Sequence, residues 1–469
     1  METHIILAIT VIIGFYMAWN IGANDVSNAM GTSVGSKALT LKQAVILAGI
    51  LEFVGAFFLG SHVSNTIQTG IVQPEVFAHE PHLFTLGMMG ALLATGFWLN
   101  LASLLRLPVS TTHAIVGAVV GFGAIVGGVH GLDWPNILKI SLSWIISPAI
   151  SGFVAFGFFL LLQRRVLFAF HPLQAAKKLI PFLIFVVISF FSLSLIYNGL
   201  ASLNFKISFA FALLIAIILG SIAAIISYFL SRNIRISIKK NKEHHPQQVM
   251  FLEKAAKHLQ RTKLSSEGEV KDTAGVLLQE VRKLTSEIKG KAEYIQNASE
   301  YNKIEKIFAY FQIFSAAMVA FAHGANDVAN AIGPVAAVIQ TVKMNMISEI
   351  TTTPRWILAL GGVGIVVGLA TWGWRVIETI GHKITQLTPT RGFCAEFASA
   401  LVILVASKMG MPISTTHALV GAVLGVGLAK GLSALNLKML RTIILSWIIT
   451  IPSCAVISIG FFYLLRLIF

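Results

Sequence analysis

The sequence predicts an all-α polytopic membrane protein, with about 12 transmembrane helices in two inverted repeats and broken or re-entrant helices at the bilayer midplane. Three observations lead to this prediction. The composition is 56% hydrophobic and only 12% charged, whereas soluble proteins carry roughly 25% charged residues. Many apolar runs reach the roughly 20 residues that a membrane-spanning helix needs. Two polar motifs, each inside apolar sequence, occur once in each half of the chain.

The apolar runs fall into twelve segments, seven before a hydrophilic stretch and five after it. They lie near residues 4–21, 41–61, 83–106, 109–130, 137–162, 179–198, 206–230, 308–323, 356–376, 394–408, 411–429 and 440–468. From this pattern we expect four regions. They are a first repeat over residues 1–165, additional membrane helices over 166–230, a hydrophilic loop over 231–306 and a second repeat over 307–469.

The charge distribution predicts the topology. The net charge is +15, but the basic residues cluster in loops and in the central stretch, as membrane orientation requires and as nucleic-acid binding does not. The basic start of the 231–306 loop places it in the cytoplasm, and counting back through seven spans puts both termini outside. We expect a retained first span rather than a signal peptide, in a bacterial-type plasma membrane with the lipid bilayer as partner.

The hydrophilic loop itself has apolar residues at helical spacing among mixed charges, for example Leu277, Val281 and Leu284. This spacing predicts cytoplasmic helices, such as a small helical hairpin. A solvated linker between the repeats is the alternative.

The first recurring motif places a carboxylate and two carboxamides at membrane depth. Its copies are Gly-Ala-Asn-Asp-Val-Ser-Asn-Ala over residues 22–29 and Gly-Ala-Asn-Asp-Val-Ala-Asn-Ala over residues 324–331. A buried ionisable group there costs several kcal/mol unless it has a partner, so we interpret the motif as a functional site. We expect Gly22 and Gly324 to break their helices and expose carbonyl oxygens. The candidate Na⁺ ligands are Asn24, Asp25, Asn326 and Asp327, and Asn28 and Asn330 are candidates for the anion.

The second recurring motif is Pro-x-Ser-Thr-Thr-His, over residues 108–113 and 412–417. A weaker third match pairs residues 142–146 with 445–449, and the three offsets are 302, 304 and 303 residues. The whole unit is therefore duplicated. Because seven spans, an odd number, separate the two copies, they enter the membrane in opposite directions. Inverted repeats place substrate and coupling ions near the midplane, between the halves.

The chemistry of this second motif suits an anion. Pro fits the first turn of a helix and Ser or Thr caps it, so each block predicts a helix that begins inside the membrane. Its free N–H groups and positive dipole end, with three hydroxyls added, favour a tetrahedral oxyanion. The candidates are Ser110, Thr111, Thr112, Ser414, Thr415 and Thr416. The alternative is that these hydroxyls bond their own helix or pack between helices. His113 and His417 would hydrogen-bond either the site or a neighbouring carbonyl.

Two further intramembrane carboxylates, Glu52 and Glu396, have no acidic counterpart in the repeat alignment, where they fall opposite Ile365 and Leu92. Each is a candidate cation ligand, proton carrier or acceptor that pins a helix. Carboxylates near an oxyanion would repel it unless cations or protons neutralise them, which is a physical reason for coupled binding. The sequence has no catalytic or metalloenzyme motif, which argues against an enzyme and predicts no cofactor. A channel or a receptor stays open as an alternative.

The paired Gly-Ala-Asn-Asp and Pro-x-Ser-Thr-Thr-His blocks resemble those of the inorganic phosphate transporter family, also grouped as solute carrier family 20. The resemblance covers both membrane halves and is weakest over residues 231–306. It implies twelve spans and symport of phosphate with Na⁺ or H⁺. It also implies that Asp25, Asp327, Glu52, Glu396, Ser110 and Ser414 matter for transport. The Gly-Ala-Asn-Asp form resembles the sodium-coupled members.

The resulting expectation is a secondary active symporter that imports inorganic phosphate with Na⁺ by alternating access, through rocking or an elevator-like motion. The alternatives are proton coupling, a metal–phosphate complex as substrate, or another tetrahedral oxyanion such as sulfate. Small-residue faces such as Gly117 with Gly121, and Gly361 with Gly362, fit either internal packing or a homodimer contact.

Overall fold

The computed structural model describes residues 2–105, 107–169, 171–199, 207–232, 246–295, 299–347, 353–374, 377, 387–431 and 436–469. Fifteen α-helices lie in these ranges. They are α1 Glu2–Gly35, α2 Leu41–Leu59, α3 Ser61–Thr69, α4 Pro81–Leu104, α5 Thr111–Gly127, α6 Trp134–Leu162, α7 Pro172–Ser194, α8 Phe209–Arg232, α9 Pro246–Ser265, α10 Glu269–Ile295, α11 Ser299–Met344, α12 Arg355–Thr371, α13 Pro389–Lys408, α14 Thr415–Lys430 and α15 Leu437–Ile468.

The predicted fold class, an all-helical multi-pass membrane protein, is confirmed. Within the described ranges, nine helices are long and apolar enough to cross a bilayer, from Thr3–Gly35 to Leu440–Ile468. Three shorter apolar helices, α5, α12 and α14, have only 17, 17 and 16 residues. Together the nine and the three correspond to the twelve segments expected from the sequence. The opposite orientation of the two repeats stays a prediction.

The motif glycines pack helices together rather than break them, which corrects one expectation. Both α1 and α11 run without interruption through their Asn-Asp motifs. A Cβ atom at Gly22 would overlap the carbonyl of Ile365 in α12, and one at Gly324 would overlap the carbonyl of Glu52 in α2. The glycines are needed because the first helix of each repeat crosses the second helix of the other at backbone contact.

The last helix of each repeat also packs against the other repeat at backbone contact. Helix α15 packs on α4 and α5 of the first repeat. A Cβ at Gly121 in α5 would lie 2.5 Å from the carbonyl of Ala455, and Gly425 in α14 meets the backbone of Gly152 in α6 at similarly close range. The glycines of the small-residue faces, Gly117 and Gly361 among them, thus contact helices of this same chain.

The helices divide into two compact units. The first comprises residues 1–160, 187–220 and 308–469 and contains both copies of both motifs. The second comprises residues 161–186 and 221–307. In it α9 and α10 pack as a hairpin, with Gly268 at φ +63° between them and Arg282 donating to Gln260 at 3.0 Å. Residues 233–245 and 296–298 of the predicted loop lie outside the described residues.

Candidate functional site

The Ser-Thr-Thr-His blocks form two helix N-termini. Helix α5 begins at Thr111 with Ser110 as its N-cap, whose Oγ accepts the His113 backbone N–H at 3.2 Å. Helix α14 begins in the same way at Thr415, with Ser414 accepting the His417 N–H at 3.2 Å. The predicted cap is thus present in both copies.

The prolines do not lie where the sequence predicted. Each helix starts one residue after its serine, so Pro108 and Pro412 lie two residues before the N-cap and not in the first turn. There they belong to the extended segment that leads into the cap, where a fixed φ and a missing N–H are tolerated.

The two helix ends face each other and are joined by side-chain hydrogen bonds. Thr112 Oγ1 donates to the carbonyl of Ile413 at 2.9 Å. Thr416 Oγ1 donates to the carbonyl of Val109 at 3.2 Å. Since each hydroxyl bonds the chain just before the other helix, the two positive helix ends are held at one place.

The first Asn of each Asn-Asp motif fixes the non-helical segment that leads into the capped helix N-terminus. Asn24 Nδ2 donates to Ser103 Oγ at 3.1 Å and to the carbonyl of Leu107 at 3.2 Å. The second repeat has the same arrangement at 3.0 and 3.2 Å, with Asn326, Ser407 and Met411. The amide nitrogen of each Asn is therefore committed to positioning, which leaves its oxygen for a ligand.

The second Asn of each motif contacts the block of the opposite repeat. Asn28 Nδ2 donates to Thr416 Oγ1 at 2.8 Å and to Asp25 Oδ1 at 3.0 Å. Asn330 Nδ2 lies 3.3 Å from the hydroxyls of both Thr111 and Thr112. The expected convergence of the four motif copies at one place is therefore seen in the side-chain contacts.

A histidine that the sequence argument did not select lies among the acidic groups. His323 Nε2 is 2.9 Å from Asp327 Oδ2 and 3.8 Å from Asp25 Oδ2, and its Nδ1 is 3.2 Å from Glu52 Oε1. All four side chains are buried. Ligand atoms of Asp25, His323 and Asp327 lie within 4.8 Å of one another, close enough to share one ion. Thr415 Oγ1 also donates to Asp327 Oδ2 at 2.6 Å.

The site is rich in buried oxygens that lack a donor. Six side-chain oxygens, three from each Asn-Asp motif, accept no hydrogen bond from any described residue. They are Asn24 Oδ1, Asp25 Oδ2, Asn28 Oδ1, Asn326 Oδ1, Asp327 Oδ1 and Asn330 Oδ1. Buried acceptors are normally satisfied, because desolvation without a partner costs free energy. Hard cations take oxygen ligands, so this donor set fits a cation such as Na⁺.

Comparison with known proteins identifies the family. Residues 21–458 match the family model described as Phosphate transporter family. The chain belongs to this family. It is 43% identical over 465 residues to a protein of Chlamydia trachomatis named putative phosphate permease, with 99% of each chain covered. It is also 42% identical over 468 residues to "Inorganic phosphate transporter 2-1, chloroplastic" of Arabidopsis thaliana, covering 98% of this chain and 72% of that protein.

A solved structure gives the same result for the fold. The chain matches one described as "The sodium-dependent phosphate transporter" with a TM-score of 0.80 and 35% identity, covering 99% of this chain and 100% of that one. A family of transporters confirms the prediction of a membrane transport protein rather than an enzyme. The resemblance inferred from the motifs is also confirmed.

Within this phosphate transporter the two glutamates lie in different surroundings. Glu52 faces His323, as described above. Glu396 accepts hydrogen bonds from the hydroxyls of Thr32, of Ser33 at 2.7 Å and of Ser315 at 2.6 Å, and from Gln312 Nε2 at 3.2 Å. Thr32 is seven residues from Asp25 along α1, or roughly 10 Å at 1.5 Å per residue. Glu396 therefore belongs to a separate polar cluster of five side chains.

Two other residues, Ser27 and His323, occur at or beside one copy of the Asn-Asp motif and not the other. The hydroxyl of Ser27, absent from the second copy, donates to the Asn24 carbonyl of its own helix at 3.0 Å. His323 precedes the second motif by one residue, at a position where the first copy has Ile21. A comparison limited to the residues that are identical in the two copies overlooks such a residue. A search for every ionisable side chain inside an apolar segment would have found it.

Proposed function

We propose that this phosphate transporter is a secondary active symporter that imports inorganic phosphate together with Na⁺ by alternating access. The observation that carries the proposal is the group of six buried, donor-free oxygens beside two facing helix N-termini. Phosphate would accept hydrogen bonds at the helix ends, from their N–H groups and from the hydroxyls of Ser110, Thr111, Thr112, Ser414, Thr415 and Thr416.

The cations would be held by the oxygens of the two Asn-Asp motifs. Asn24, Asp25, Asn326 and Asp327 supply two carboxylates and two carboxamide oxygens to this place. Two negative carboxylates raise the free energy of a nearby phosphate unless positive charge lies between them. Bound Na⁺ supplies that charge, so the anion binds well only after the cations. This order of binding is the physical basis of coupling.

The burial of the site supports alternating access. Asp25 and Asp327 are 0% exposed, and Ser110 and Ser414 are 1% exposed. Phosphate and Na⁺ can reach these groups only if the surrounding helices move. A carrier of this kind opens to one side at a time around a fixed site.

The cluster around Glu396 supports a second cation position. Three hydroxyl oxygens, from Thr32, Ser33 and Ser315, converge on this carboxylate, and a hydroxyl can accept a cation as well as donate a proton. We include Glu396 in the Na⁺ proposal for this reason. Glu52 is included in the Na⁺ proposal through its contact with His323, whose ring lies between the Glu52 carboxylate and Asp327.

Proton coupling is the second candidate, and His323 favours it. An imidazole among three buried carboxylates can carry a proton that neutralises the site in place of a metal ion. The helix ends and hydroxyls would bind phosphate unchanged. Sulfate would suit those donors too, although only a protonated phosphate can donate to a carboxylate such as Asp25.

Uptake of labelled phosphate into proteoliposomes decides among these functions. Purified protein is given an inward Na⁺ gradient or an inward H⁺ gradient at matched membrane potential, with unlabelled sulfate as competitor and empty liposomes as control. We expect accumulation with Na⁺ alone and no competition by sulfate. Accumulation with the H⁺ gradient alone would show that H⁺, and not Na⁺, is the coupling ion. No accumulation with either gradient would contradict phosphate symport.

A further inference from the structure

Behind the hydroxyls of the two helix ends lies a cluster of four rings, two from each repeat. The ring centroids of His113 and His417 are 4.5 Å apart. His113 packs on Trp144 of its own repeat at 3.9 Å, and His417 packs on Trp447 of its own repeat at 3.6 Å. Each His is also the residue whose backbone N–H is capped by the serine, so ring and helix end are parts of one unit.

Each His ring is hydrogen-bonded across the repeats, but the two bonds are unequal. His417 Nδ1 lies 3.0 Å from the carbonyl of Trp144. His113 Nδ1 lies 3.5 Å from the carbonyl of Trp447. Because a carbonyl only accepts, the His417 ring donates from Nδ1. At 3.5 Å the equivalent contact of His113 is at the limit of a hydrogen bond.

A proline explains the inequality. Pro148 lies inside α6, four residues after Trp144, and has no N–H to bond that carbonyl within the helix. The carbonyl of Trp144 is thus free for His417. In α15 the proline is Pro452, five residues after Trp447, and Ile451 stands where the first repeat has Pro148. The N–H of Ile451 can bond the Trp447 carbonyl in the ordinary helical way.

Close packing holds the first turns of α14 against the turn of α6 that contains Pro148. A Cβ at Gly421, one turn after His417 in α14, would overlap the carbonyl of Pro148. Helix α14 therefore crosses α6 at the turn where the backbone acceptor has been released. The first turn of α14 has a fixed partner in the opposite repeat, whereas the first turn of α5 has a weaker one.

We propose that His417 is a positioning residue for the anion. Its hydrogen bond to the carbonyl released by Pro148 sets the orientation of the α14 N-terminus, which presents Ser414, Thr415 and Thr416. This role rests on the proposed binding of phosphate at the helix ends. His113 holds the α5 end less firmly, so the two ends of the site differ in rigidity.

The test measures the phosphate KM and the Na⁺ KM of reconstituted variants. His417→Ala removes the donor, and we expect the phosphate KM to rise roughly three- to tenfold, the effect of one neutral hydrogen bond, with the Na⁺ KM unchanged. His417→Asn can donate from a similar position and should stay within about twofold of the parent protein. His113→Ala is the matched control, and we expect its effect on the phosphate KM to be smaller than that of His417→Ala.

Pro148→Ala tests the mechanism without touching the histidine. The restored N–H competes for the Trp144 carbonyl, so the phosphate KM should rise as in His417→Ala. The double variant should be no worse than the poorer single variant, because both remove one interaction. Multiplying effects, or equal loss in His417→Asn and His417→Ala, would overturn the proposal.

A second readout keeps this test separate from the transport function. Hydrogen exchange of the backbone amides in residues 414–418 is measured in detergent on the same variants. Faster exchange in His417→Ala and Pro148→Ala than in His113→Ala supports the positioning role. Equal exchange in all three overturns it, whether or not the parent protein takes up phosphate.

Discussion

The two repeats agree in the groups that face the proposed substrate and differ in the groups around them. In both repeats, an Asn fixes the non-helical segment before the second motif and a Ser caps the helix that follows. A Thr of that motif donates to the Pro-x-Ser-Thr-Thr-His block of the other repeat. In the second repeat alone, a histidine precedes the Asn-Asp motif, where the first has Ile21. Glu396 likewise has Leu92 as its counterpart.

The polar cluster around Glu396 illustrates this difference. Its members Thr32, Ser33 and Ser315 have counterparts in the other half that are all apolar, namely Pro334, Val335 and Ile13. The repeated hydroxyls suit an anion that is bound from both sides, and the repeated carboxylates and carboxamide oxygens suit cations. The unrepeated groups are charged or polar, and each of them occurs in only one of the two repeats. Substitutions of the repeated serines and threonines should therefore impair binding of phosphate. Substitutions of the repeated aspartates and of the unrepeated carboxylates should alter its coupling to cations.

The largest effect is expected from the paired aspartates. Asp25→Asn and Asp327→Asn each remove a buried negative charge that the proposed cation needs, and the loss of one partner of a buried ion pair costs about 3–5 kcal/mol. Na⁺-driven phosphate uptake should fall roughly a hundredfold or more in both variants. Initial rates in proteoliposomes, normalised to reconstituted protein, measure this.

The same pair tests whether the two sides are equivalent in stability. Asp327 accepts from Thr415 at 2.6 Å and lies 2.9 Å from His323, whereas Asp25 lies 3.8 Å from that ring. Thermal unfolding in detergent should therefore show a lower midpoint for Asp327→Asn than for Asp25→Asn. Ser27→Ala, which gives the first motif the Ala of the second, is the control and should keep uptake within about twofold. Near-normal uptake in Asp25→Asn would remove that residue from the site.

The sequence predicted the fold well because hydrophobic length and duplication are local properties. Twelve apolar segments and two motif pairs can be read directly from the residues, and the structure has a helix for each segment. The continuity of α1 and α11 was not predicted. Gly22 is compatible with a broken helix and with a close crossing, and only the position of Ile365 in three dimensions decides between them.

The sequence singled out the repeated part of the candidate site and, in its unrepeated part, selected Glu52 and Glu396 but missed His323. Duplication singles out Asn24 and Ser110 because chance rarely repeats a motif at one offset. It gives no weight to His323, which occurs once. The hydrogen bond from His417 to Trp144 joins residues 273 positions apart, so the sequence alone does not reveal it. The effect of Pro148 on this bond can be recognised only once Trp144 and Pro148 are known to lie one turn apart in α6.

An intermediate effect is expected from Glu396→Gln, which tests the unrepeated cluster. If this carboxylate binds a coupling cation, the Na⁺ KM should rise by roughly ten- to thirtyfold, because a contact to a charged group is lost, while the phosphate KM stays within about twofold. The Na⁺ dependence of uptake at saturating phosphate gives both values. If Glu396 only pins the helices, the thermal midpoint falls and the Na⁺ dependence is unchanged, which would contradict its role as a ligand.

The smallest effect is expected at the two caps, where the repeats are closest to identical. Ser110→Ala and Ser414→Ala each remove an acceptor that lies 3.2 Å from a backbone N–H and cost about 1 kcal/mol of helix-end stability. The phosphate KM should rise about fivefold in both variants and exceed any change in the Na⁺ KM. Ser→Thr at the same positions keeps the cap and is the control. Because the two caps have the same geometry, a large difference between the two alanine variants would mean that phosphate contacts one helix end more than the other. A greater rise in the Na⁺ KM would instead assign the serines to a cation.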